Sequence, residues 1–530
     1  MNNKKIQVWL PLFFSFTMIV GLYFGYYMRD NMPGKPFFFR QEQRPLQEII
    51  DLINNKYVDE VKTDALADTA IKAILSKLDP HSVFIPAQQV QLLNDDLAGK
   101  FFGIGIEFNI FNDTLNVINV INGGPGDKAG MQTGDKFIFV NDSSVAGKKM
   151  NPDQYRTLLR GERRTSVDIT FLRDRIQKKV TLTRDAIPVS SVDAVYMLGS
   201  VTGYIRLNKF STQTYHEFME ALDSLKKQGL QKLVLDLRGN GGGILEEAVE
   251  IADEFLDGDK LITYTEGKHA PRKEYRCRRE GGFEKGPLVV LADEGTASAS
   301  EVLIGALQDW DRAIVIGRRT FGKGLVQEQF DLSDKSALRL TIARYYTPVG
   351  RSIQRPYASG DKAYYEEITK RYHDGETQTQ DSVKNDTSRI YLSKSGKKLY
   401  GGGGITPDQF IALDTLTFNE HQVRLSEKGT LVGFAYNYYL LNRKMLSGFF
   451  KTPADFYAGF LFTDEDWQKF IAVAAKDSID LKGIPKDEKN ILTSHIKANL
   501  ARMIWRNEGF FEVLNRTDES IKRATFLLQK

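Results

Sequence analysis

A chain of 530 residues is long enough for roughly two to four domains with substantial cores. Hydrophobic residues make up 42% and charged residues 26%, the formal net charge is +4, and no lysine and arginine stripe extends beyond short runs such as Arg276 to Arg279. Nucleic acid is therefore not expected as a partner. Cys277 is the only cysteine, which excludes an intramolecular disulfide, a cysteine-based zinc cluster and an acylated cysteine near the start.

Residues 1–7 carry Lys4 and Lys5 ahead of an uncharged run, residues 8–27, whose length of about twenty residues spans a bilayer. No short apolar region with an Ala-x-Ala site follows, and Tyr23, Phe24, Tyr26 and Tyr27 crowd the outer end, so an uncleaved signal anchor is expected. The positive-inside rule keeps the two lysines cytoplasmic and places residues 30–530 outside the cytoplasm.

Residues 42–97 read as helices, with apolar positions at Leu46, Ile49, Ile50 and Ile53 and again at Ala70, Ile71, Ile74, Leu75 and Leu78, punctuated by Pro80 and Pro86. Over residues 98–184 the pattern changes to short strands and glycine turns, with one helix expected at Pro152 to Arg160. This β-rich module resembles a PDZ domain through Gly103-Ile104-Gly105-Ile106 and the run from Gly124-Pro125 to Gly134-Asp135. Glycines at 103 and 105 let backbone amides converge on one point, which suits a terminal carboxylate, and the peptide then adds as a strand at the sheet edge. Gly103, Ile104, Gly105 and Ile106 are the candidate tail-binding residues, with Leu158 and Leu159 flanking the groove.

Residues 185–410 alternate strand and helix, which argues for an α/β layer with functional loops at the strand carboxyl ends. Three small-residue loops fall there: "RGNGGG", "EGTASASE" and "RRTFGKG". The first only begins like a dinucleotide fingerprint, since Ile244 stands at the third glycine position. The third nearly matches a P-loop, but Gly324 replaces the magnesium-holding hydroxyl and "LVQEQFDL" alternates like a strand. The six histidines are scattered without a His-Glu-x-x-His helix and read as surface or packing residues, so no metal or other cofactor is expected. No Gly-x-Ser-x-Gly elbow surrounds Ser298. A serine at a strand-to-helix junction can be a helix cap or a nucleophile. A lysine can activate it if desolvation keeps the amine neutral, and Lys323, between two glycines and beside Phe321, is the candidate.

Together the three loops resemble those of the carboxyl-terminal processing, or tail-specific, serine proteases, over about residues 45 to 408. The resemblance implies Ser298 as nucleophile, Lys323 as general base and Gln327 as the residue orienting the lysine, with Thr296 in place of the family's first motif serine. It implies an oxyanion hole from the Ala299 amide and a glycine amide of the "GNGGG" loop, assigned to Gly243 with Gly242 as runner-up. "TPVGRSIQ" and "GGGGITPD" look like the family's closing elements, and the polar stretch 358–400 reads as a flexible loop or insertion.

Residues 411–530 are expected to be helical: a stabilising extension, an oligomerisation element or a docking surface. The expected fold is thus multidomain α/β and α+β: membrane anchor, helical segment, PDZ-like module, Ser-Lys protease core and helical C-terminal extension. The expected function is a single-pass endopeptidase of a bacterial inner membrane, with a periplasmic or otherwise extracytoplasmic catalytic domain that takes protein or peptide substrates with a free C-terminus. The sequence leaves an adaptor or a homo-oligomer open. The competing reading is a catalytically inactive membrane-anchored PDZ scaffold, against which the presence of Ser298, Lys323 and Gln327 counts.

Overall fold

The computed structural model describes residues 4–31, 45–414 and 419–529. It forms two compact units, Met1–Ile74 and Leu75–Lys530.

In the first unit, the helix Lys4–Asn31 contains Trp9–Tyr27, 19 residues of mean hydropathy 1.4 with none buried. It is the one helix long and apolar enough to cross a membrane among the described residues. The helix Pro45–Lys56 follows.

The second unit opens with a departure from the all-helical reading of residues 42–97. Between the prolines the chain forms a short strand, Val83–Ile85, which pairs antiparallel with the long strand Ala337–Tyr346 in register Val83 to Arg339. The β-rich module is an antiparallel sheet in the order Ile106–Phe111, Thr114–Val120, Lys136–Val140, Ser166–Arg173, Ile176–Thr183. Two of its hairpins close through positive-φ pairs, Asn112-Asp113 and Asp174-Arg175, the geometry that matches strand twist. Its helix Pro152–Leu159 starts where Asn151 and Gln154 cap each other reciprocally and Pro152 presets the first turn. Tyr155 and Leu159 of that helix enter a core with Leu115, Val117, Phe137 and Ile169. The strand Ile106–Phe111 lies at the edge of the sheet, paired on one side only.

The second core is a six-stranded sheet in the order Val192–Met197, Thr202–Leu207, Lys232–Asp236, Leu288–Ala292, Ile314–Gly317, Gln409–Phe410, parallel except at the first pair. Its central strands read as unbroken apolar runs because both faces are covered. Leu233, Leu235 and Val290 face the helices Thr214–Lys227, Leu245–Asp253 and Ala299–Asp309. Val234, Val289 and Leu291 face the C-terminal helix Glu519–Gln529 through Ile521, Ala524 and Leu528. A second sheet carries Leu325–Asp331 against Ala337–Tyr346, so a strand follows Lys323 where a P-loop needs a helix.

The polar stretch 358–400 is not a plain loop. It folds into a helix Asp361–His373 and a hairpin of Asp386–Leu392 with Lys398–Gly401. Arg371 of that helix donates to Thr320 O at 2.8 Å, and such buried anchoring explains why a polar composition is ordered here. Beyond residue 418 the chain is helical, ending in Lys486–Leu514 and Glu519–Gln529.

Candidate active site

The three loops singled out in the sequence converge at the carboxyl ends of the parallel strands. The motif "GTASASE" holds three hydroxyls, and two are committed to structure. Thr296 Oγ1 donates to Leu237 O at 2.9 Å, and Ser300 Oγ donates to Asn240 O at 3.0 Å; both residues are fully buried. Ser298 is half-buried and alone of the three takes a positive φ, with φ 57° and ψ −117°. The turn between Leu288–Ala292 and Ala299–Asp309 is therefore a strained strand-to-helix elbow, although the sequence lacks the usual elbow motif.

The small residues make room. A Cβ at Gly242 would lie 2.7 Å from Ser298 Cβ and 2.9 Å from Ala299 N, and one at Gly243, whose φ is +142°, would lie 2.0 Å from Phe210 O. Gly242 donates its amide to Asn240 Oδ1 at 2.9 Å, whereas the Gly243 amide donates to no acceptor among the described residues. The Ala299 amide opens the first turn of its helix, where no intrahelical partner exists. Asn240 is a hub that sequence reading missed: its side chain holds Gly242 N and Leu207 O, and its carbonyl takes Ala297 N at 3.0 Å.

Glu301, the last letter of the same motif, ties the serine loop to the lysine loop. Its Oε2 accepts from Ser298 N at 2.9 Å and from Lys323 N at 2.8 Å, while Oε1 accepts from Gly322 N at 2.8 Å and from the Thr320 hydroxyl. Burial pushes its pKa up to about 7, against the pull of these donors. Three of the four donors are amides that can only donate, so the cradle fits the anion. Tyr345 adds a second clasp, its single hydroxyl hydrogen shared between Ser298 O, at 3.1 Å, and Lys323 O.

Lys323 Nζ donates to Gln327 Oε1 at 3.2 Å. Burial, helped by Arg339, lowers its pKa, and Glu301 and Asp79 partly oppose this. Gln327 is fixed in turn, because its Nε2 donates to the His81 carbonyl at 2.6 Å. Only the amide nitrogen can donate to a carbonyl, so the oxygen must face the lysine.

In sequence His81 reads as a surface or packing residue. The structure instead sets it against this pair, its ring 2.9 Å from the Tyr364 hydroxyl and edge-on to that ring. Burial and Lys323 drive its pKa down to about 4, so it is neutral near pH 7. Asp79 builds the turn that presents it, accepting from His81 N and Ser82 N at 2.9 Å each and from Thr341 Oγ1 at 3.0 Å. The signal in the sequence was Asp79-Pro80-His81-Ser82 itself, a turn-forming run between two helical patterns. The closing elements also engage: Gln354 Oε1 accepts from Gly324 N at 2.8 Å, and Thr320 Oγ1 accepts from Ile405 N at 2.7 Å.

In the β-rich module, Ile104 and Gly105 are buried, and their amides donate no hydrogen bond among the described residues. Gly105, with φ +72°, makes the turn. Beside the edge strand lies a groove of about 420 Å³, bounded by Gly103–Ile110 and by the helix carrying Arg156 and Leu159.

Family models match the chain in three places: peptidase family S41 over residues 201–361, a PDZ domain over 117–173, and a family of unknown function over 423–506. The chain is 34% identical over 361 residues to a "Probable CtpA-like serine protease" of Staphylococcus aureus, covering 67% of this chain and 72% of that protein. It is 32% identical over 379 residues to a "Carboxyl-terminal-processing protease" of Synechocystis, covering 67% and 86%. Among solved structures, a photosystem II D1 C-terminal processing protease matches with 32% identity and a TM-score of 0.33, over 58% of this chain and 83% of that one.

Proposed function

Because the chain belongs to the carboxyl-terminal-processing serine proteases, with an S41 peptidase domain and a PDZ domain, we propose that it cleaves proteins through a Ser298–Lys323 dyad after capturing their free carboxyl tails. The observation that carries the dyad is the shared oxygen: one Glu301 oxygen accepts the amides of both Ser298 and Lys323.

In this mechanism neutral Lys323 takes the Ser298 hydroxyl proton as Oγ attacks the scissile carbonyl. The carbonyl π pair moves onto oxygen, and the amides of Ala299 and Gly243 stabilise the oxyanion. Gly243 is preferred to Gly242 because the Gly242 amide is already bonded to Asn240. The tetrahedral intermediate expels the peptide amine, which takes its proton from the Lys323 ammonium, leaving an acyl-serine. Water then repeats the sequence, with Lys323 again as base, and frees the carboxylate product and Ser298. Gln327 holds the lysine amine by accepting one of its N–H bonds, which leaves the lone pair for the serine proton.

The amides of Ile104 and Gly105, which donate no hydrogen bond among the described residues, support tail capture together with the one-sided edge strand. The uncharged, exposed helix Trp9–Tyr27 supports a single-pass anchor with the catalytic portion outside the cytoplasm.

The test is cleavage of a denatured protein by the detergent-solubilised full chain, with products identified by mass spectrometry. Wild type should cut with a chelator present, and Ser298→Ala should not cut at all. Cleavage by the alanine variant, or its loss with chelator, overturns the dyad.

A further inference from the structure

The tail-binding groove has a wall that a PDZ module alone does not supply. Besides the helix Pro152–Leu159, the groove is bounded by Val432, Asn499, Arg502 and Met503 of the C-terminal helical region. Asn499, Arg502 and Met503 are spaced three and four residues apart, so they share one face of their helix.

This wall is fastened to the module. Arg506 Nη2 donates to Val120 O at 3.1 Å, and the Tyr436 ring lies 5.2 Å from that of Phe111, at the end of the edge strand. A Cβ at Gly433 would come within 3.1 Å of the Phe111 ring, so the helix Thr430–Phe449 packs at near-backbone distance. The helix Lys486–Leu514 is broken at Trp505 and Arg506, whose φ is 59°. Before the break it faces the groove; after it, Asn507 bonds Asp193 and Phe511 packs on the central sheet.

The groove is also charged asymmetrically. Arg156, Arg160 and Arg502 line it with Glu107 as the one carboxylate among its lining residues, while Asp95, Asp96 and Asp153 stand close enough behind the wall to act on Arg160. Arg156 is engaged by Asp153 at 2.5 Å, and Arg502 stands 3.7 Å from Glu107. Arg160 lies over the Phe101 ring at 4.4 Å and forms no ion pair or side-chain hydrogen bond among the described residues. An extended peptide seated on the edge strand would run past Arg160 on one side and Arg502 on the other, with Glu107 as the carboxylate that Arg502 would exchange for one of the peptide's.

We propose that the C-terminal helical region is the second wall of the tail-binding groove, and that Arg502, together with Arg160, selects substrate tails carrying acidic side chains upstream of the terminal carboxylate. The inference rests on the tail-capture reading and adds the substrate class to it. Ion pairs at this degree of exposure contribute modestly, so the preference should be about threefold to fivefold.

The full chain carrying Ser298→Ala, so that nothing is cut, is titrated into fluorescein-labelled peptides and followed by anisotropy. One peptide has glutamates upstream of a free apolar terminus, one has lysines there, and the third is the glutamate peptide with an amidated end. The glutamate peptide should bind more tightly than the lysine peptide. Arg502→Glu should abolish or reverse that ratio while the lysine peptide still binds, which shows the variant is folded. Arg443→Glu, an equal charge change on the exposed face of Thr430–Phe449, should leave the ratio intact. A ratio unmoved by Arg502→Glu, or moved equally by Arg443→Glu, overturns the second wall. Equal binding of amidated and free-acid tails overturns carboxylate capture alone, provided Arg502→Glu still shifts the charge preference. Binding of none of the three overturns both.

Discussion

Ser298 stores strain that its neighbours hold in place. A non-glycine residue at positive φ costs about 1–3 kcal/mol, and glycine escapes most of that cost. Ser298→Gly and Ser298→Ala should both abolish peptide cleavage, and the glycine variant should be the more stable by about 1 kcal/mol in thermal unfolding. Were Ser298 only a helix cap, alanine would cost about 1 kcal/mol and leave turnover nearly intact. The lysine makes a separate demand. Lys323→Arg should be inactive, since a guanidinium stays protonated and cannot accept the serine proton. Burial lowers the lysine pKa, and in the proposed mechanism the base is the neutral amine, so wild-type kcat should rise with pH, with a midpoint below the ordinary lysine value. Gln327→Ala should reduce kcat without eliminating it and shift that midpoint. A pH-independent rate, or full activity in Lys323→Arg, would remove the lysine from its role.

Among the elements, the turn Asp79–Ser82 has the clearest thermodynamic signature. The His81 pKa falls from 6.5 to about 4 on folding, so between those values the unfolded chain binds the proton and the native one does not. Its contribution to stability is complete above about pH 6.5 and is lost as pH falls through 4. His81→Gln should flatten the stability profile between pH 6.5 and 4 in denaturant titrations. An unchanged slope would mean that the ring titrates as freely in the fold as outside it. This turn also marks where the sequence stops being legible. Period and punctuation disclosed the β-rich module, the alternating core and the strand after Lys323, because each is set by neighbours a few residues away. The role of His81 depends on a strand pairing with residues some 250 positions on. Likewise Glu301 reads as an ordinary first-turn acid, and only the fold shows four donors arriving from two loops. The order of residues 361–401 escaped because buried ion pairs such as Arg319–Glu376, at 2.6 Å, stand in for an apolar signal.

At the scale of the molecule, the helix Glu519–Gln529 is a structural layer of the protease core. Removing residues 519–530 would uncover Val234, Val289, Leu291 and Ile316. The truncated chain should be recovered mainly as aggregate, and Ala524→Asp, which buries a charge, should cost about 3 kcal/mol or more in unfolding experiments. Soluble, active protein lacking that helix would show that the sheet needs no cover on this face. The bond from Gln327 to the His81 carbonyl spans 246 positions of chain. Closing so long a loop is entropically slow, and it cannot precede assembly of the two segments it joins. Catalytic competence should therefore be among the last properties gained during refolding, trailing far-UV ellipticity in stopped-flow and activity-recovery traces. With Lys323 as the proposed base, a partly folded copy would present cleavable segments before its own base is oriented, so the topology delays cleavage of the folding chain by itself.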